Sequence, residues 1–219
     1  MKYIITESQL EIIKDSILKI PFSVFNNDWN LLQRLLNKRG NPPYILKGDV
    51  NLHNDEEIIT LGSLISVEGD LDLFGTPVES LGNLISVGGG LDLRDTSIKS
   101  LGNLTSVGRW FSLYGTPIES LGNLRSVGGS LSLNQTPIES LGNLRTVGGE
   151  LFLAETPIKS LGNLTYVGGN LNLVETSIKS FGNLKTVRDD LYLKNTPMSE
   201  KYSEQEIRNM VVVGGDIYL

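Results

Sequence analysis

Residues 121–140 read LGNLRSVGGSLSLNQTPIES, and residues 141–160 read LGNLRTVGGELFLAETPIKS. The second copy follows the first without a residue gained or lost, and the same 20-residue frame runs from Leu61 to Glu200 as seven consecutive copies. A strict period of this length marks a solenoid, in which each repeat is one turn of the chain and buries its apolar side chains against its neighbours. The sharpest signal inside the frame is the Leu-x-Leu step, found at Leu71/Leu73, Leu91/Leu93, Phe111/Leu113, Leu131/Leu133, Leu151/Leu153, Leu171/Leu173 and Leu191/Leu193. Alternation of period two belongs to a β-strand, so both core residues face inward and the residue between them faces out. Strands that return every 20 residues with one pattern stack in parallel and in register. The expected fold is a right-handed parallel β solenoid.

Two weaker copies flank the regular ones. Val50-Asn51-Leu52 precedes Leu71 by one residue more than the period, and RNMVVVGGDIYL (208–219) matches GNLxSVGGxLxL after six extra residues, Lys201 to Glu206. Nine coils are therefore expected. The other apolar columns, represented by Val87, Ile98, Leu101 and Leu104, must turn into the same interior from the remaining sides of the coil. Glycines such as Gly82 and Gly122, and pairs such as Gly128-Gly129, suit corners that need positive φ or close approach of two backbones. The Thr column (Thr76 to Thr196) sits where the chain leaves the strand, and its hydroxyls are expected to satisfy backbone groups of a buried turn. The Pro that follows most of these threonines keeps the strand from continuing. The Asn column (Asn83 to Asn183) is expected to serve another corner. A single coil fixes too much backbone for the side chains it buries, so it cannot fold without neighbours.

Residues 1–47 lack the repeat and are expected to form a helical cap over the open end of the core. Thr6 with Gln9 resembles a capping box, with Leu10, Ile13, Ile17 and Ile20 on one face until Pro21. A second helix is expected after Asn27 or Asp28, with Trp29, Leu32 and Leu36 on one face and Gly40 at its end. The solenoid then spans 48–219, with a short helical insertion near 201–209 where Ser203 and Glu206 form a second capping box. The strand Ile217-Tyr218-Leu219 leaves an edge through which two copies could join or a partner could add a strand.

With the register fixed, L-x-L-x-x-T-x-I-x-S-L resembles the leucine-rich-repeat signature L-x-L-x-x-N-x-L, with Thr in the Asn place. The stretch SLGNLTSVGGNL is similar to repeats of receptor L domains and of short-repeat proteins of bacteria and their phages. The resemblance covers residues 48–219 and implies a solenoid of leucine-rich-repeat type. The uniform 20-residue length, the Thr-Pro corner and the lack of Cys-rich modules depart from receptor L domains and argue against a receptor role.

The formal net charge of −6 comes from scattered acidic and basic residues without a run of like charge, so nucleic acid is a poor partner. The absence of cysteine excludes disulfides and thiolate metal sites. MKYIITESQLEIIKDS turns polar too early for an export signal, and no stretch is apolar for long enough to span a bilayer, so a cytoplasmic location or association with a virion is expected. No nucleophile, acid/base pair or phosphate loop converges in the pattern, and no enzyme activity or cofactor is expected. His53, the only histidine, falls on the first rung. Asp70, Asp72, Asp92 and Asp95 cluster on neighbouring rungs, but without the nine-residue period of a calcium β-roll they are expected to be solvated.

Core and corner columns hardly vary along the chain, whereas the columns facing outward around Leu-x-Leu do. They carry Asp72 and Phe74, Asp92 and Arg94, Trp110 and Tyr114, Phe152, and Tyr192. These residues form the candidate binding face, centred on Trp110 and Tyr114, where Arg109 also replaces a corner glycine. Exposed aromatics and arginine anchor recognition surfaces, although aromatics also suit β surfaces through cross-strand packing. The expected function is a non-catalytic protein–protein interaction module. The alternative is a structural element of a virion or cell surface that assembles through the C-terminal edge.

Overall fold

The computed structural model describes residues 17–219, which wind into a parallel β solenoid with seven regular turns. Each regular turn contributes two short rungs. Leu131–Ser132 pairs in parallel with Phe111–Ser112 on one side and Leu151–Phe152 on the other, and belongs to a nine-stranded sheet. Ser126–Val127 pairs with Ser106–Val107 and Thr146–Val147 in a ten-stranded sheet. The partner residues of successive regular rungs are 20 apart throughout, as the period requires.

The alternation rule places the core. Leu121, Leu124, Val127, Leu131, Leu133 and Ile138 of one turn are all buried, and the same six columns join with those of the other turns into one apolar cluster. Each buried threonine of the Thr column donates its hydroxyl to the carbonyl three residues back, as Thr136 does to Leu133 at 2.7 Å. Asn123, Asn143 and Asn163 donate their side-chain amides to the Gly102, Gly122 and Gly142 carbonyls of the preceding turn. The two kinds of glycine divide the work expected of them. Gly142 takes the left-handed conformation (φ 57°), whereas a Cβ on Gly128 would strike the Gly108 carbonyl oxygen of the turn before.

Within residues 17–47 the chain is only partly helical. Helix α1 (Trp29–Asn37) is capped by Asp28, whose Oδ1 accepts from Leu31 N at 2.8 Å, and it buries Trp29, Leu32 and Leu36 as expected. Buried Tyr44 ties the helix to the first turn through a 2.8 Å hydrogen bond from Gln33, and burial pushes its hydroxyl pKa well up. Thr6, Gln9, Leu10 and Ile13 of the first expected helix lie outside the described residues. Its C-terminal end, however, is a strand: Leu18–Pro21 pairs in parallel with Tyr44–Lys47 at the end of the ten-stranded sheet. Leu18 and Ile20 alternate with exposed Lys19 and Pro21, and a proline that cannot donate is tolerated on an outermost strand. The sheet thus begins before residue 48, because Tyr44–Lys47 pairs with Leu64–Val67.

Two helices lie near the C-terminus, α2 (Pro197–Lys201) and α3 (Glu204–Met210), so helix begins at Pro197, inside the seventh copy and before the extra residues. The capping box of Ser203 and Glu206 is present, and Thr196 caps α2 in the same way with Ser199. Val212–Val213 and Ile217–Tyr218 then resume the two ladders. Among the described residues no helix is long and apolar enough to cross a membrane.

Candidate interaction face

The outward side of the nine-stranded sheet carries the variable residues, and the register sorts them into three groups. At the N-terminal end the offset of 21 residues between Val50 and Leu71 brings His53 beside Phe74, and their rings stack with centroids 4.7 Å apart. Arg94 lies over the Phe74 ring at 5.1 Å and grips Asp92 with two nitrogens, Nε to Oδ1 at 3.0 Å and Nη2 to Oδ2 at 2.6 Å. Asp92 was expected to be an open carboxylate and is instead buried, only 5% exposed, because the guanidinium covers it. The Asp92 pair holds the Arg94 proton still more firmly than usual. Asp72 lies 3.5 Å from His53 Nδ1 and accepts the backbone N–H of Phe74. Asp70 accepts the N–H of Gly90 at 2.7 Å. These carboxylates are therefore spent on local bonds, and among the described residues no three acidic or histidine side chains gather as a metal site.

At the C-terminal end Tyr192 stacks on Tyr218 with centroids 4.7 Å apart and donates its hydroxyl to Asp190 at 3.2 Å. Loss of solvent around the ring, and then the carboxylate it binds, raise the Tyr192 pKa. Phe152 is half-buried between Ser132 and Asn172 of the adjoining rungs. Stacking and neighbour contacts thus account for Phe74, Phe152 and Tyr192 within the sheet, as cross-strand packing predicts.

The central group differs. Trp110 and Tyr114 flank the buried Phe111 and Leu113, remain 41% and 44% exposed, and stack on no other aromatic ring among the described residues. The Trp110 indole packs against the preceding turn at Gly90, where a Cβ would collide with the ring. Gly90 is the only glycine in its column, so the chain makes room for an indole laid against the sheet with its other side open. Arg109, exposed beside Trp110, stands where every other regular turn but that of Asp189 carries glycine, and still keeps its ladder bond to Gly89 at 3.0 Å. This turn thus presents two partly exposed aromatic rings and one exposed cation on the same face.

Three participants escaped sequence reading: His53, Gly90 and Tyr218. His53 and Tyr218 could have been found by writing the outward columns with the 21- and 26-residue offsets at the two ends included, and Gly90 from the regular 20-residue offset to Trp110. Compared with protein families, with characterised proteins and with solved structures, the chain matches none.

Proposed function

We propose that this chain is a non-catalytic protein-interaction module of leucine-rich-repeat type, a right-handed solenoid of nine coils counting the incomplete ones, that docks a protein partner on the outer face of its nine-stranded sheet. The observation that carries the reading is that Trp110 and Tyr114, both exposed and on one turn, stack on no other ring among the described residues, whereas the equally exposed Tyr218 is stacked on Tyr192. Aromatic side chains that are rigid, partly open and held from beneath bury much area at small entropic cost, and they dominate binding energies. The buried Thr column, in the place of the signature Asn, supports the family-type reading.

Affinity purification from cells of the native host, run beside a Trp110→Ala/Tyr114→Ala variant, tests the proposal. A partner recovered with the native chain and lost from the variant, at unchanged thermal melting, is the expected result. Equal recovery by both chains would place the site elsewhere.

A further inference from the structure

The ten-stranded sheet presents a second outward column, one residue before each Ser-Val, Thr-Val or Tyr-Val rung. Backbone bonds of 2.7–3.0 Å link its members from turn to turn, so Ile65, Ile85, Thr105, Arg125, Arg145, Thr165 and Lys185 stand in one line. The line changes character along its length. At one end Ile85 is 44% exposed and, with Ile65, Pro43 and Asn83, borders a groove of about 440 Å³. Beyond Thr105 stand Arg125, Arg145 and Lys185, all exposed, and among the described residues none lies within 4.0 Å of a carboxylate. The two threonines bond back into the column, Thr105 to the Ile85 carbonyl at 3.0 Å and Thr165 to the Arg145 carbonyl at 2.9 Å. The groups left unsatisfied are therefore apolar at one end and cationic at the other.

Like charges on directly paired strands destabilise a sheet. Arg125 and Arg145 sit one rung apart in a chain of net charge −6 whose carboxylates are placed elsewhere. We propose that this column is a docking line for an extended segment of another protein, with apolar residues at one end and acidic residues at the other. Six turns at ~4.8 Å each give a line of roughly 30 Å, which an extended peptide covers with about nine residues. A sulfated sugar or a nucleic acid would use the cations but gain nothing from the isoleucines, and complementary charge sets the orientation of a peptide.

The site is separate from the aromatic face, and the test keeps the two apart. A display library of random twelve-residue peptides is panned against the full chain, and the selected peptides are measured by fluorescence anisotropy. Expected are peptides with apolar residues at one end and Glu or Asp at the other, weakened at least tenfold by Arg125→Glu/Arg145→Glu and unaffected by Trp110→Ala/Tyr114→Ala. Thermal melting of the charge variant checks its fold. Selection of no acidic consensus, undiminished binding by the charge variant, or equal competition by a heparin fragment and by a variant peptide with its apolar residues changed to serine would overturn the proposal.

Discussion

A threonine hydroxyl is buried in every regular turn where the chain leaves the leucine rung, and it donates to a carbonyl that otherwise has only a weak local partner. Leu133 O receives Thr136 Oγ1 at 2.7 Å and Thr136 N at 3.3 Å. Thr136→Val keeps the volume and removes the stronger bond, so a loss of about 1–2 kcal/mol in denaturant unfolding is expected, the range for a buried polar group left short of a partner. The residue just before that threonine takes a left-handed conformation, and in several turns it is not glycine: Gln135, Glu155 and Glu175 have φ of 58–60°. Left-handed backbone costs a residue bearing a Cβ roughly 1–2 kcal/mol, partly offset by the greater unfolded-state freedom of glycine. Glu155→Gly should therefore raise stability by up to about 1 kcal/mol, and a lower melting temperature would contradict the reading. The threonine corner was legible because its column never varies. The left-handed corner was not, because Gly alternates there with Asp, Gln, Glu and Asn, and Gln and Glu are not residues that signal a left-handed backbone. Asp92 was misread for a related reason: column analysis shows which way a side chain leaves the strand, not that Arg94 will fold back over it.

Elements of two residues carry most of this fold, and that limits what periodicity can reveal. The Leu-x-Leu rung announces itself by alternation, whereas Ser126–Val127 offers one inward residue and no alternation, so the second ladder is visible only once the pairing is seen. Leu18–Pro21 was hidden differently: Ile17 and Ile20 fit helical spacing, and the edge offered by Tyr44–Lys47 decides in favour of a strand. The C-terminal helices were legible from their capping chemistry. Arg208 on α3 donates to the Val213 and Gly215 carbonyls and pairs with Glu204, fastening the insertion to the last rungs. Arg208→Ala should speed amide hydrogen exchange at Val212 and Gly214, which bond to the Lys185 and Val187 carbonyls, while leaving exchange at Gly128 and Gly148 unchanged. Glu206 accepts two hydrogen bonds from Ser203, and these hold its pKa below the 4.5 of an unperturbed carboxyl. A depressed folded-state pKa means that the cap's contribution is present above about pH 4.5 and fades as pH falls through the lowered value. Carboxyl NMR should place the Glu206 midpoint below 4.5, and Glu206→Gln should abolish the acid-induced loosening of α3.

Across the whole molecule the turns are interdependent, because each core column touches only the turn before and the turn after. Leu133→Asp, in the middle of the stack, leaves an unpaired charge among buried leucines, and a cost above about 4 kcal/mol is expected. Cooperative loss of the sheet signal in circular dichroism is the predicted outcome. The same register that hides the leucines leaves Trp110 and Tyr114 open on one sheet and Arg125, Arg145 and Lys185 open on the other. Hydroxyl-radical footprinting read residue by residue in a mass spectrometer tests that assignment most directly, since it compares neighbours on a single strand. Rapid oxidation of Trp110 and Tyr114, with Trp29, Phe111 and Leu113 protected, is the predicted pattern; protection of Trp110 and Tyr114 with oxidation of Phe111 and Leu113 would contradict the register and the docking face together.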